Sequence, residues 1–489
     1  MDNAKLTALY NRFVPGGYTA PTAQAPLAGL GNLGTPVGTP PSSPSGQPLE
    51  VPLLTPEVLK EIRAQLASEP DLTLELARRA IDGDMTLGEL HQMLDQLDVL
   101  FANPELALAT LDASGPGKLP AEFTFAGKET GPEFEARPND HQFEDSDWSG
   151  YGLNVASAVL KRVFYSGKFP FRWEHEYSTR FIYGLKPNSK IALFSDFGTG
   201  LPHSYHIAKF LAAAQPDVAI HLGDVYYAGK AQEAQVNFDK PLEKLTAQTE
   251  LFVLPGNHDY YSGGAAFFNG IDARRKTGRH RQQGSYFILD SAAFRIIGID
   301  GEYHSGSRFS EGGLREWLQH SIIAGRTSGR SIILMSSDEP YSYDSSSPTD
   351  LYSDITKNLP PEAIDLWFWG NTHYCALFAP SSQLKNQFYG SCIGHGGYPY
   401  GRFTHKASSS DLAPILWAEY EPRFPAWTGV RQDMGNNGFM TLKLDDNTRG
   451  ATLDYYDWTN ALRATVTMHR DNKQLEVKSV DAKLRPLCK

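Results

Sequence analysis

Six short apolar runs, each closing on a polar cluster, dominate the second half of the 489-residue chain. They read KIALFSDFGTG from residue 190, DVAIHLGDVYY from 217, LFVLPGNHDYY from 251, FRIIGIDGEYH from 294, SIILMSSDEPY from 331 and DLWFWGNTHYC from 365. Runs this short and this apolar predict buried strands. Helical spacing fills several of the gaps, as in HSYHIAKFLAAA and GLREWLQHSII. Strands alternating with helices predict a mostly parallel or mixed α/β sheet, whose ligands lie beyond the carboxyl ends of the strands. Past residue 400 the pattern turns to hairpins, and GFMTLKLDDNTRGATLDYYDW reads as strand, polar turn, strand.

Upstream the pattern differs. Residues 15–50 are rich in Gly, Pro, Ala, Thr and Ser, a composition that buries too little apolar surface to offset ordering entropy. Thr55-Pro56-Glu57 is a helix start, followed by Leu59, Ile62 and Leu66 at helical spacing. The expected division is a Pro/Gly-rich arm or linker over 1–54 and a helical N-terminal region over 55–115. An irregular connecting region over 116–186, the main domain over 187–460 and a tail or edge strand over 461–489 follow.

Composition narrows the function. Lys and Arg number 45 against 56 Asp and Glu, a net charge of −11, which argues against a general nucleic-acid coat. Three cysteines, Cys375, Cys392 and Cys488, do not make a disulfide framework. No apolar run reaches the length of a membrane span. The first residues lack the charged and apolar regions of an ordinary secretory signal, so a cytoplasmic location is expected, with signal-less export left open.

The chemistry sits at the strand ends. Asp196, Asp224, Asn257-His258-Asp259 and His373 each follow an apolar run. Carboxylate, amide oxygen and imidazole are ligands for divalent metals such as Mn, Fe or Zn. Metals so held activate water and offset phosphoryl charge, and a nearby His protonates the leaving oxygen.

These motifs resemble the calcineurin-like metallophosphoesterase superfamily, around the motifs most like bacterial members with the D-x-G and G-D-x-x-Y pattern of purple acid phosphatases. They read Asp196-Phe197-Gly198, Gly223-Asp224-Val225-Tyr226-Tyr227, Gly256-Asn257-His258-Asp259, Ser336-Ser337-Asp338-Glu339-Pro340 and Gly370-Asn371-Thr372-His373. The resemblance implies an α/β fold, a four-layer α/β/β/α sandwich with a helical N-terminal appendage. It implies a first metal on Asp196, Asp224, Tyr227 and His373, with Asp224 bridging to a second metal on Asn257. It makes His258 the proton donor and Asp259 the acid that orients it.

Two motifs depart from the family pattern. Ser337 or Asp338 stands where the fourth motif supplies a His, and Asn371 replaces the first His of the fifth. The second metal keeps Asp224, Asn257, Asp338 and Asn371, an oxygen set that favours Mg, Ca or Mn over Zn. The expected activity is metal-dependent hydrolysis of a phosphomonoester or phosphodiester with an altered second metal site. The alternative is a single-metal or catalytically inactive relative serving binding or non-hydrolytic chemistry. The substrate class is a phosphorylated small molecule or phosphodiester, and no sequence feature names a protein partner. His203, His206 and His395 are further candidates near the site, each with a plain structural alternative. The basic run from Arg274 to Arg281 either grips phosphate from the site rim or is a solvated loop.

Overall fold

In this computed structural model the described residues are 181–482, apart from Tyr227, 304–312, 406–410, 423–433 and 472–473. The expected arm and helical region, and most of the connecting region, lie outside them.

All six apolar runs are strands. The first three form β2 (Lys190–Phe194), β3 (Val218–His221) and β4 (Glu250–Val253), and the others form β6 (Phe294–Gly298), β7 (Ser331–Ser336) and β8 (Leu366–Trp369). Around them stand β1 (Ile182–Gly184), β5 (Phe287–Asp290), β9 (Cys375–Phe378), β10 (Tyr389–Ile393) and β11 (Ile415–Ala418). The C-terminal strands are β12 (Gly438–Asp445), β13 (Gly450–Asp457), β14 (Leu462–Asp471) and β15 (Gln474–Ala482). The order β1-β5-β6-β7-β8-β10-β9-β11 makes one sheet and β15-β14-β13-β12-β2-β3-β4 the other. The GFMTLKLD hairpin is β12 paired antiparallel to β13, with β12 also antiparallel to β2. The second sheet runs on past residue 460 through β14 to β15 at its edge.

The helices are α1 (Pro202–Ala213), α2 (Ala231–Glu233, continued by a π-turn to Asp239), α3 (Glu243–Thr246), α4 (Asn257–Tyr261), α5 (Ala265–Lys276), α6 (Leu314–Thr327) and α7 (Asp350–Thr356). Side-chain alternation along the strands makes the layers. Ile191 and Leu193 of β2, Ile333 and Met335 of β7 and Leu366 and Phe368 of β8 meet in one core between the sheets. Their neighbours Ile332, Leu334, Trp367 and Trp369 face outward into a core shared with Leu314, Trp317, Leu318 and Ile322 of α6. Ala192 and Phe194 face a third core with Ile207 and Leu211 of α1 and Phe267, Phe268 and Ile271 of α5. The result is a four-layer α/β/β/α sandwich whose parallel strands β2, β3 and β4 end on the same side. Among the described residues no helix is long and apolar enough to cross a membrane.

Candidate metal centre

Asp196, Asp224 and Asn371 stand just past β2, β3 and β8, and all three adopt left-handed backbone, with φ of 54°, 67° and 56°. Asp and Asn tolerate this region better than other side chains. The strain clusters where the strand ends turn, as it does at functional sites.

Asp196 is fully buried, and its carboxylate is the hub. Its Oδ2 accepts from Ser195 Oγ at 2.6 Å and from the Asn371 backbone N–H at 3.1 Å. Its Oδ1 accepts from the Tyr226 phenol at 2.9 Å and lies 3.3 Å from His373 Nε2. Tyr226 oxygen and His373 Nε2 are 2.7 Å apart. With the phenol hydrogen on Asp196, the imidazole N–H donates to the phenol oxygen. Tyr398 stacks on His373 at 4.2 Å between ring centres and on Tyr226 at 4.6 Å. Its backbone N–H donates to Asp196 O at 3.0 Å.

Asp224 is also fully buried. Its Oδ1 accepts from the His258 backbone N–H at 3.0 Å, while its Oδ2 has no hydrogen-bond partner among the described residues. Burial, then the charges of Asp196 and Asp259, push its pKa well above the usual carboxylate range, opposed by the bond from His258. A buried carboxylate oxygen left unpaired costs free energy, and a cation is the partner that removes that cost. Asn257 opens α4 with its Nδ2 donating to Tyr261 at 2.9 Å and its Oδ1 likewise unpaired among the described residues.

Asp259 Oδ2 accepts from the backbone N–H groups of Gly256 at 2.9 Å and Asp224 at 3.1 Å, tying two strand ends together. Burial pushes Asp259 up to about 7, against the lowering effect of those two bonds. The folded protein therefore holds this proton more tightly than the unfolded chain. The stabilisation is full below the unfolded value of about 4 and is lost as pH rises through the folded value. Metal-free protein is expected to lose melting temperature between about pH 4 and 7 more steeply than Asp259→Asn. Parallel profiles for the two proteins would contradict this assignment.

Two further expected ligands bond to neighbouring carboxylates. Asp338 shares a side-chain hydrogen bond with Glu302, and Asn371 Nδ2 donates to Glu339 at 3.3 Å. Ser337 Oγ is buried without a partner among the described residues, close to where a side chain on Gly223 or Gly256 would stand. Among the described residues no three His, Cys, Asp or Glu side chains form a ready metal cage. The donors that fit a cation are mixed: Asp196, the phenol of Tyr226, His373 and the open oxygens of Asp224 and Asn257.

Tyr227, the expected phenol ligand, lies outside the described residues; the phenol between Asp196 and His373 belongs to Tyr226. Tyr226→Phe is expected to weaken metal retention about tenfold or more, with Tyr227→Phe made as the comparison. Equilibrium dialysis against Mn checks this, and the reverse order would return the role to Tyr227.

The other sequence candidates fall into place structurally. His203 Nε2 bonds Gly397 O at 2.6 Å, and His206 packs edge-on to Trp458 at 5.4 Å. His395 is buried, which lowers its pKa to about 4. Two arginines of the basic run pair with nearby acids. Arg274 pairs with Asp239 at 2.8 Å and Arg281 forks onto Glu250, the first residue of β4, whose far end carries the site. On either side of Arg281, His280 Nδ1 and Gln282 Oε1 accept from Leu251 and Val253 N–H groups, closing the edge of β4. Tyr398 and Glu302 escaped the sequence reading, and Glu339 stood in the fourth motif without a role. Tyr398 was signalled only by the turn GHGGYPY, and Glu302 by the one apolar run whose end carried no recognised motif.

Residues 189–375 match the calcineurin-like phosphoesterase family model. Among solved structures, a purple acid phosphatase from yellow lupin (Lupinus luteus) seeds is 15% identical with a TM-score of 0.44, over 59% of this chain and 55% of that one. The chain thus spans about half the length of that relative. GAP50, the anchor in the inner membrane complex of Plasmodium, is 14% identical with a TM-score of 0.45, over 59% of this chain and 90% of that one. A dimetal phosphatase from Danio rerio is 10% identical with a TM-score of 0.37, over 58% and 100%. No curated protein matches. Residues 189–375 are thus similar to the calcineurin-like phosphoesterase family.

Proposed function

We propose that this protein is a metal-dependent phosphoesterase that hydrolyses a phosphomonoester or phosphodiester with metal-activated water. The observation that carries the reading is the convergence of Asp196 Oδ1, the Tyr226 phenol and His373 Nε2 within 2.7–3.3 Å of one another. Beside them stands Asp224, with an unpaired, buried oxygen. Asp196, Asp224, Tyr226 and His373 would hold a first metal, Mn, Fe or Zn by donor type, with Tyr227 the alternative phenol. Asn257, Asp224, Asp338 and Asn371 would hold a second, Mg, Ca or Mn. When bound, such a metal supplies an activated water and offsets charge on the phosphoryl oxygens.

The chain's own residues do the rest. Asp259 fixes the α4 entry and the Asp224 turn through two backbone bonds. That presents His258, whose ring lies 4.3 Å from the Tyr226 ring and 4.8 Å from Tyr261 between centres, beside the strand ends. From there His258 would give its proton to the leaving oxygen.

The bonds of Asp338 to Glu302 and of Asn371 to Glu339 favour a second reading, in which only the first metal is held. Hydrolysis of nitrophenyl monoester and diester, assayed with and without Mn against the bound-metal count, separates the two. Turnover with two ions per chain supports the altered two-metal site, turnover with one supports the single-metal form, and no turnover under any ion removes both.

A further inference from the structure

The site is assembled from both sheets. Asn257 and His258 come from the sheet of β4, whereas Asp338 and His373 follow β7 and β8 of the other sheet. One buried carboxylate with no part in the proposed chemistry joins them. Asp300 lies two residues past β6, in the sheet of β7 and β8, and is fully buried. Its Oδ2 accepts from the phenol of Tyr260 at 2.7 Å, and Tyr260 belongs to α4 with Asn257 and His258. Its Oδ1 accepts from the backbone N–H groups of Glu302 at 3.1 Å and Tyr303 at 2.9 Å. Those two bonds shape the turn that places Glu302 against Asp338. They also set the Tyr303 ring edge-on to Tyr260, 5.5 Å away between centres.

We propose that Asp300 is a positioning residue: through Tyr260 on one side and the Glu302–Tyr303 turn on the other, it fixes the His258 half of the site against the Asp338 half. Charge-assisted hydrogen bonds inside a low-dielectric core are short and directional, so a carboxylate accepting three of them holds its donors closely. Misplacing a reacting group by about 1 Å costs about a hundredfold in rate. A tie of this kind acts on the chemical step more than on substrate capture. The inference rests on the phosphoesterase reading for its kinetic consequence but not for its structural one.

The test uses the full chain with labelled histidine, and His258→Gln identifies the His258 ring signal. Tyr260→Phe removes a single hydroxyl, and Asp300→Asn keeps one acceptor oxygen. Both are expected to stay folded and to shift the His258 ring resonances while leaving His469, on β14, unmoved. Both should lower kcat for a nitrophenyl diester about tenfold or more with KM within about twofold, Asp300→Asn less than Asp300→Ala. Folded variants with unchanged His258 resonances would overturn the proposal, as would a loss confined to KM. If wild-type protein shows no turnover, the phosphoesterase reading fails and the His258 resonances alone decide the positioning role. Should Asp300→Ala not fold, Tyr260→Phe still carries the test.

Discussion

Asp224→Asn is expected to lower metal-dependent hydrolysis about a thousandfold or more while leaving the protein folded, because the several kcal/mol a catalytic metal contributes convert to roughly that factor. Asn is the informative replacement. Position 224 has a φ of 67°, which Asn tolerates and which strains Ala. The amide also keeps an oxygen to accept the His258 N–H, so the start of α4 is preserved. What it loses is the charge on the unpaired Oδ2. Three carboxylates, Asp196, Asp259 and Asp338, act on Asp224 in the same direction, so neutralising it relieves repulsion in metal-free protein. Melting temperature without metal should therefore not fall. The stabilisation that added Mn gives wild type should vanish in the variant. Scanning calorimetry with and without Mn reads both effects, and an equal Mn-induced rise in the two proteins would remove Asp224 from the metal centre.

Gly370→Ala is expected to cost about 1–3 kcal/mol and about a hundredfold in activity. A methyl group there would collide with Ser195 Oγ and stand 3.0 Å from Asp196 Oδ2. Ser195 Oγ is itself bonded to that oxygen at 2.6 Å, so relief by movement displaces the hub carboxylate. Pairing the change with Ser195→Gly opens the space, and the double variant should recover part of both losses. Such recovery is the non-additivity expected of residues in contact. Thermal melts and diester turnover on the four proteins of the cycle measure it. Strictly additive losses would show that Gly370 acts elsewhere.

How much of this was legible beforehand depends on which physical signal each part carries. The strands announced themselves because both faces of each sheet are covered, which forces continuous apolar runs such as IALF, LFV and LWFW. Asp196, Asp224, Asn257, His258 and His373 could be placed at strand ends because each directly follows such a run. The phenol beside Asp196 could not be settled by spacing, since Tyr226 and Tyr227 are adjacent and only the turn geometry decides which ring faces the hub. Asp338 and Asn371 were expected to face the second metal. Their side chains also bond Glu302 and Glu339, contacts set by how the loops after β6 and β7 meet and not visible in the sequence. The basic run stayed open between two readings because sequence proximity to Asp259 does not fix where its side chains go. α5 leads the chain back to the start of β4, where Arg281 meets Glu250.

The most direct test of the central claim is elemental analysis of the purified full chain, made alongside Mn-dependent diester turnover and repeated on Asp224→Asn. Metal bound by the wild type, with turnover, and both lost in the variant is the predicted result. Metal-free protein that stays inactive under every added divalent ion would contradict the account.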